Sequence, residues 1–256
     1  QRLINCPYQF FAADMLKLKP ADEISDELKK SDYGERIHLA LQAFHQHVER
    51  QLEPFSEPVT EHNRDRAIAH LSKISSNVFK TDLEDNILHR SWLHRWQKHI
   101  PDYIDWQIGQ QKNWSVHSTE ENKKLNIGTS TYIFGRLDRI DKSNNEHCII
   151  DYKTGRSASQ ADVDCGENIQ LTTYALLDEA ATNIMYLALD EPEGKVKNGA
   201  ELSGDELNSL KEDVLHRLKS MLGMIQQKKE LPAWGDTTSC SYCNFEGLCR
   251  KSSLCG

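Results

Sequence analysis

Two acidic residues and a lysine stand close together in the middle of the chain. Asp138 lies in the segment GRLDRID, and Asp151 and Lys153 lie in the segment IIDYKTG. Because side chains alternate along a strand, Asp151 and Lys153 share one face and Tyr152 points to the other. Carboxylates bind hard divalent cations, and a neighbouring lysine can orient a water or stabilise negative charge, as metal-assisted phosphodiester hydrolysis requires. A solvated, charged hairpin explains this stretch equally well, so the rest of the chain must decide.

The composition narrows the range of functions. The chain has 256 residues, enough for a full-sized core, and a net charge of -8. That charge argues against binding of nucleic acid through diffuse positive charge, but it leaves room for a nuclease with a locally basic cleft. No apolar run approaches the ~20 residues of a membrane span, so we expect no membrane contact. The chain begins at Gln1 without a signal-peptide pattern, which indicates a segment of a longer protein.

An early helix carries the first histidine of interest. An apolar stripe at helical spacing, from Ile37 to Val48, predicts this helix, with Gly34 and His38 on its first turns. Glycine at position 34 would let another backbone or a substrate come close to this helix. A histidine beside an apolar face is more often a packed core residue than a ligand. The helix alone therefore favours a structural role for His38.

A long helical region follows at about 63–111. It contains aromatic residues among cationic ones, namely Trp92, Trp96, Tyr103 and Trp106. The aromatic side chains could stack on bases and the cations could neutralise phosphates. The favoured interpretation is that the aromatic side chains pack helix on helix.

The second half of the chain has the pattern of a mixed sheet. Strands are predicted at 125–127, 131–140, 148–152 and 183–189. A helix at 166–181 would connect the last two strands as a βαβ unit. A polar loop is expected at 191–200 and an amphipathic helix at about 203–229. We predict one domain.

Four motifs occur in order along these elements: Gly34-x3-His38, Gly135-x2-Asp138, Asp151-Tyr152-Lys153-Thr154-Gly155 and Gln170-x3-Tyr174. This order resembles the RecB-like branch of the PD-(D/E)XK nuclease superfamily. The resemblance implies an α/β fold with a restriction-endonuclease-like mixed central sheet flanked by helices. It also implies a single domain over 1–256, with a helical insertion at about 60–112 and a cysteine-rich tail at 233–256.

The same resemblance implies a metal centre. His38, Asp138 and Asp151 would coordinate Mg²⁺ or Mn²⁺, with the Tyr152 carbonyl and waters completing the shell. Lys153 would position the nucleophile or neutralise charge on the phosphate. The resemblance thus changes the expectation for His38 from core residue to ligand.

Further site residues follow from the family pattern. Gln170 and Tyr174, one helical turn apart, would help to hold DNA or the lysine. Glu120 matches an acid of the family on the preceding strand, although Glu121 is equally available in the sequence.

The cysteines form a second motif, Cys240-x2-Cys243-x5-Cys249 with a distant Cys6. This spacing resembles the split iron–sulfur motif of AddB-type and CRISPR-associated nucleases, which implies a [4Fe-4S] cluster that joins the tail to the N-terminal helix. A zinc site with four cysteine ligands is the alternative. Cys255 is the alternative to Cys6 as the fourth ligand.

Together these patterns predict a divalent-metal-dependent DNA nuclease, an exonuclease on single strands or ends, in DNA repair or recombination. The sequence lacks the Walker A motif, so a helicase region or helicase subunit is the expected partner. The resemblance implies cytoplasmic, nucleoid-associated work in a bacterium. The alternative is a non-catalytic DNA-end-binding or scaffolding module with the same fold, which the acidic net charge supports.

Overall fold

A five-stranded mixed sheet forms the centre of the chain. The computed structural model describes residues 1–19, 30–50, 52, 55, 57–85, 89–128, 131–235, 237–241 and 243–251. The strands are β1 (Ser115–Gly128), β2 (Thr131–Ser143), β3 (Glu146–Lys153), β4 (Ala181–Glu191) and β5 (Lys195–Ser203). They lie in this order across the sheet. The β3–β4 pair is parallel and the other three pairs are antiparallel, which confirms the predicted restriction-endonuclease-like α/β fold class.

The hydrophobic pattern explains why β3 and β4 are central. Both strands contain runs of β-branched or large apolar residues, and these side chains are buried on both faces of the sheet. Their parallel pairing requires a crossover connection, and helices occupy that connection as expected.

Helices cover both faces of the sheet. They are α1 (Arg2–Asn5), α2 (Pro7–Phe10), α3 (Lys30–Glu49), α4 (Arg64–Val78), α5 (Lys80–Asp85), α6 (His89–Gln110), α7 (Gln160–Asp164), α8 (Gln170–Leu176), α9 (Gly204–Gln226), α10 (Thr237–Ser241) and α11 (Glu246–Cys249). One core lies between the sheet and α3, α4 and α6. A second core lies between the opposite face and α8 and α9.

The aromatic residues of α6 belong mainly to the first core. Trp96 and Tyr103 are fully buried. Trp92 packs edge-on against Tyr33, with ring centroids 5.3 Å apart, and Trp106 stacks on Tyr103 at 5.9 Å. The helix-packing interpretation is therefore correct for this region.

Two of the predicted elements differ from the structure. The expected loop at 191–200 is instead a 3₁₀ turn, Pro192–Gly194, followed by β5. Its polar residues misled the prediction because an edge strand buries only alternate side chains, here Ala200 and Leu202. The expected helix at 166–181 is shorter and spans only α8, Gln170–Leu176. Gly166 has a positive φ of 68°, outside helical geometry, and β4 already begins at Ala181.

β1 and β2 extend beyond the rest of the sheet. Pairing of β2 with β3 ends at Arg139, whereas β1 and β2 remain paired out to Gly128 and Thr131. Residues 121–128 and 131–137 thus form a two-stranded projection, which we call the arm. Within the part of the chain that the structure describes, no helix has the length and apolar character needed to cross a bilayer.

Candidate active site

The candidate site lies where β2 and β3 diverge. The last residues of β3, from Asp151 to Lys153, pair with β4 on their other side. The Asp138 carboxylate enters the gap, where its Oδ2 accepts the Tyr152 backbone N–H at 2.8 Å. A side chain thus takes the place that a backbone carbonyl would fill in a continuous ladder. This exchange brings Asp138 close to the DYK segment.

α3 brings His38 to the same gap. A Cβ atom at Gly34 would lie only 2.9 Å from Thr154 Oγ1, so glycine allows this helix to approach the end of β3. The predicted close approach at Gly34 is confirmed. His38 Nδ1 lies 3.5 Å from Asp138 Oδ1 and 3.5 Å from Glu120 Oε1.

β1 supplies Glu120 rather than Glu121. Glu120 has a positive φ of 52°, a backbone conformation that is costly for a non-glycine residue and that recurs at functional sites. Its buried carboxylate faces His38 and also pairs with Arg136 Nε at 2.8 Å. Glu121 is occupied elsewhere, by Lys123 Nζ at 2.8 Å and by Ser118. The sequence left both acids available, and the structure brings only Glu120 to the site.

Three donor atoms therefore gather around one point. In the described part of the chain, His38, Glu120 and Asp138 are the residues whose ligand atoms all lie within 4.8 Å of one another. One imidazole nitrogen and two carboxylates fit a hard divalent cation such as Mg²⁺ or Mn²⁺ that keeps several waters.

Asp151 and Lys153 form an adjacent unit around Gln170. Lys153 Nζ lies 2.6 Å from Asp151 Oδ2 and donates to Gln170 Oε1 at 3.1 Å. Gln170 Nε2 donates to Asp151 Oδ1 at 3.1 Å and to the Tyr174 hydroxyl oxygen at 3.3 Å. Asp151 and Lys153 thus share one face, as predicted. One glutamine amide holds both the acid and the lysine, with Tyr174 beside it.

Sequence reasoning missed Tyr186. This residue lies beside Asp151 in the parallel β3–β4 register, and Lys153 Nζ sits 4.9 Å from its ring centroid. Its hydroxyl donates to Gln170 Oε1 at 3.3 Å and to Asn168 Oδ1 at 3.0 Å. A buried tyrosine in an apolar strand gave no local signal of this contact, because the register between two parallel strands is a tertiary property.

The group of three donors, His38, Glu120 and Asp138, is electrostatically linked to the neighbouring unit of Asp151 and Lys153. Burial lowers the pKa of His38, but hydrogen bonds and charges from Asp138 and Glu120 outweigh burial and raise that pKa to about 10. Burial raises the pKa of Asp151 to about 6, with a further increase from the charge of Asp138 and an opposing effect of Lys153. The charge of Asp138 thus acts on both His38 and Asp151.

The Tyr152 side chain lies on the strand face opposite to Asp151 and Lys153, as the alternation predicted. Its ring packs edge-on against His38, with centroids 5.6 Å apart. Its hydroxyl oxygen lies 3.1 Å from that of Tyr103, inside the first core. The neighbouring Arg139 and Asp141 are also buried there, as an ion pair with atoms 2.6 Å apart. Of the acids in GRLDRID, Asp138 alone faces the gap, because Asp141 belongs to this core network.

The two ends of the chain meet at a second candidate site. Cys6, Cys240, Cys243 and Cys249 line one cavity of about 260 Å³. Gly235 lies between them, since a Cβ there would be 3.3 Å from Cys240 Sγ and 3.4 Å from Cys6 Cβ. Close by, the Tyr8 backbone N–H donates to the Pro232 carbonyl at 3.2 Å. Cys255, the alternative to Cys6 as the fourth ligand, lies outside the described residues.

Comparison with known proteins identifies a matching family. Residues 1–250 match the family model described as the PD-(D/E)XK nuclease superfamily. A solved structure titled "Crystal structure of SSO0001" is 20% identical, covers 81% of this chain and 94% of that chain, and has a TM-score of 0.33. That similarity is too low to add to the argument.

Several curated proteins are similar in sequence. Uncharacterized proteins of Rickettsia felis and Rickettsia conorii are 28% and 29% identical over 181 and 182 residues, or 69% of this chain. The match covers 20% and 21% of those proteins. A subunit of an ATP-dependent helicase/deoxyribonuclease from Clostridium novyi is 32% identical over 126 residues, which are 42% of this chain and 10% of that protein. The chain thus matches about a fifth or less of each relative's length.

Proposed function

Because the chain belongs to the PD-(D/E)XK nuclease superfamily, we propose that it is a divalent-metal-dependent DNA nuclease. It hydrolyses phosphodiester bonds as an exonuclease on single strands or DNA ends. The observation that carries this proposal is the convergence of His38, Glu120 and Asp138 on one point beside the Asp151–Lys153 unit. Family membership supports the nuclease role, and the substrate and cleavage mode are our proposal.

The donor set defines the metal site. His38, Glu120 and Asp138 would hold Mg²⁺ or Mn²⁺, and Asp151 and the Tyr152 carbonyl are further candidate ligands at its edge. A bound divalent cation would supply Lewis-acid activation of a phosphate oxygen and of a water. We assign Glu120 to the metal ligands, because its carboxylate faces the same imidazole nitrogen as that of Asp138.

The lysine and its partners perform the remaining chemistry. The ammonium of Lys153 lies 2.6 Å from Asp151 Oδ2, so it orients the attacking water or stabilises negative charge on the phosphate. Gln170 fixes the lysine through its carbonyl oxygen and fixes Asp151 through its amide nitrogen. Tyr174 and Tyr186 hold this glutamine from two sides. The glutamine is a positioning residue, and the two tyrosines support it.

We propose that the cysteine cavity holds a [4Fe-4S] cluster, with zinc as the alternative occupant. Cys6, Cys240, Cys243 and Cys249 line one cavity of about 260 Å³ where the two ends of the chain meet. Four thiolates are the usual ligands of such a cluster, and four-cysteine zinc sites use the same ligands. The resemblance of the Cys240-x2-Cys243-x5-Cys249 spacing to the split iron–sulfur motif favours the cluster.

The partner and the biological role are inferred from a relative of the chain. The Clostridium novyi relative is described as part of an ATP-dependent helicase/deoxyribonuclease. This name supports a helicase region or helicase subunit as the partner, and DNA repair or recombination as the process. We assign the work to the bacterial cytoplasm, at the nucleoid.

Digestion of end-labelled single-stranded and duplex DNA, with Mg²⁺ or Mn²⁺, tests the nuclease proposal. We expect the wild type to release short products, preferentially from single strands or ends. Asp151→Ala and Lys153→Ala should abolish this release while circular dichroism stays unchanged. Lys219→Ala, on the far helix α9, is the matched control for loss of one lysine. Equal activity in both site variants would refute the site, and tight DNA binding without cleavage under either metal would favour the scaffolding alternative.

Metal analysis tests the cysteine site separately. We expect a brown protein with broad visible absorbance, containing iron and acid-labile sulfide. Zinc without iron would overturn the cluster assignment. Comparison of Cys6→Ser with Cys255→Ser identifies the fourth ligand, because only loss of the true ligand should bleach the protein.

A further inference from the structure

The arm has two unlike faces. Leu125 and Ile133 pack against the second core on one face, and Ile127 is buried with them. The other face is open, and it carries two aromatic residues two positions apart on β2. Phe134 is 69% exposed and Tyr132 is 41% exposed. Because side chains alternate along each strand, these aromatic residues belong to the same open face.

The open face combines aromatic rings with cations. The rings of Tyr132 and Phe134 have centroids 6.2 Å apart. Lys124 extends from the neighbouring strand, with its ammonium 3.6 Å from the Tyr132 ring centroid and 5.2 Å from that of Phe134. Arg136 follows Phe134 on the same face, with a side chain that is 61% exposed. Rings that can stack on bases, together with cations that can contact phosphates, are the usual equipment of a single-strand-binding surface.

The arm face continues into the candidate active site. Arg136 pairs with Glu120, and Glu120 in turn faces His38. At ~3.3 Å per residue, Phe134 and Tyr132 follow Arg136 at ~6.6 Å and ~13 Å along the strand. The open face of the arm therefore ends, at Arg136, in direct contact with an acid of the candidate site.

We propose that the open face of the arm binds the single-stranded part of the DNA substrate and leads it to the active site. Bases stack on Phe134 and Tyr132, and Lys124 and Arg136 contact phosphates. This inference rests on the proposed nuclease function, and it identifies the surface that selects single-stranded DNA as the substrate. It also resolves the conflict between a net charge of -8 and an anionic substrate, because stacking and two local cations replace a broad basic surface.

If Lys124 and the two aromatic rings only stabilise the arm, their loss should lower stability and leave DNA affinity unchanged. Cross-strand side-chain pairs, such as a lysine beside an aromatic ring, can also stabilise a hairpin. That role needs ring and lysine to cover each other, whereas most of the Phe134 ring remains open to solvent. The two roles can be separated by measuring stability and DNA affinity on the same variants.

Binding without a divalent cation provides the test. We would measure fluorescence anisotropy of a labelled thymidine oligonucleotide in EDTA, so that cleavage cannot interfere. Phe134→Ala and Tyr132→Ala should each weaken binding about tenfold, the size expected for loss of one base–aromatic stack. Phe134→Trp should retain the affinity, and Phe134→Leu should lose it, because leucine keeps apolar volume without an aromatic face. Melting temperatures should stay close to that of the wild type.

Cleavage assays separate this inference from the nuclease proposal. The arm variants should raise the KM for the oligonucleotide about tenfold and leave turnover of bis(p-nitrophenyl) phosphate unchanged, since that small diester cannot span the arm. A wild type that binds through Phe134 but cleaves neither substrate would refute the nuclease proposal and support the arm. Unchanged affinity in Phe134→Ala would overturn the arm, as would loss of a self-association seen by sedimentation instead of loss of DNA binding.

Discussion

The two candidate sites of this protein are built in opposite ways. The acidic site is built mainly on strands of the central sheet, and protein donors hold two of its carboxylates, through the Tyr152 N–H on Asp138 and the Gln170 amide on Asp151. The cysteine cavity lies between helices of four or five residues at the two ends of the chain. Such short helices have little stability of their own.

The fold of the acidic site therefore does not depend on its metal, whereas the fold around the cysteines depends on the group that they bind. Strand pairing and two cores hold the acidic site in shape, so the fold prepares the site and the ion adds chemistry. A group bound between Cys6 and Cys249 would instead connect segments that share few other contacts, so that group holds part of the fold. Four predictions test this comparison, beginning with the largest expected effect.

Removal of the divalent cation should abolish activity and spare the fold. We expect EDTA to reduce DNA cleavage by on the order of 10³-fold or more, because the ion supplies the activation of water and phosphate. The melting temperature should change little, since strand pairing holds the acids in position. Cleavage assays and thermal melts on one sample, with Mg²⁺ added back, check both expectations. A large fall in melting temperature that Zn²⁺ rather than Mg²⁺ restores would assign zinc to the cysteines.

Loss of one cluster ligand should lower stability and spare DNA cleavage. We expect Cys243→Ser to lower the melting temperature by ~5–10 °C, because the bound group contributes folding free energy. Limited proteolysis should then release the tail, while the folded remainder still cleaves DNA. Cys165→Ser is the matched control, because that thiol is exposed and outside the cavity. Equal melting temperatures for both variants would mean that the cysteine site does not hold the two ends together.

Gln170→Ala should impair chemistry more than stability. We expect a 10–100-fold fall in kcat, the usual effect of losing a residue that positions active groups. Gln170→Glu should be at least as damaging, because a carboxylate can accept from Lys153 but cannot donate to Asp151. Single-turnover cleavage at several Mg²⁺ concentrations measures the effect. Gln97→Ala, which removes only a 3.4 Å hydrogen bond to Ser76, should behave as the wild type.

The smallest expected effect is that of replacing Gly135 of β2, which lies against the Tyr174 ring of α8. Ala at position 135 would collide with Leu177 Cδ1 and crowd the Tyr174 ring, so Gly135→Ala should cost ~1–3 kcal/mol. Because Tyr174 supports Gln170, activity should fall in parallel with stability. A Cβ at Gly109, in α6, meets no atom within 4 Å, so Gly109→Ala should stabilise the chain by up to ~1 kcal/mol. Denaturant melts of the two variants should shift in opposite directions, and a shared direction would contradict the packing argument.

Local patterns predicted much of the fold and part of the site. Alternation along β3 put Asp151 and Lys153 on one face, and Gln170 contacts both of them. The apolar stripe predicted α3 and the close approach at Gly34. Polar composition misled the prediction at 191–200, because an edge strand such as β5 shows only half of an apolar pattern. Predictions succeeded where the signal repeats within a few residues.

What the sequence determined by itself was the order of chemical groups along the chain and the type of most elements that carry them. Helical and strand periodicities are local, so they can be read from neighbouring residues. Only the tertiary structure chose Glu120 over Glu121 and brought Tyr186 to Lys153. Those choices depend on strand register and on one positive φ, which are set by packing between distant segments.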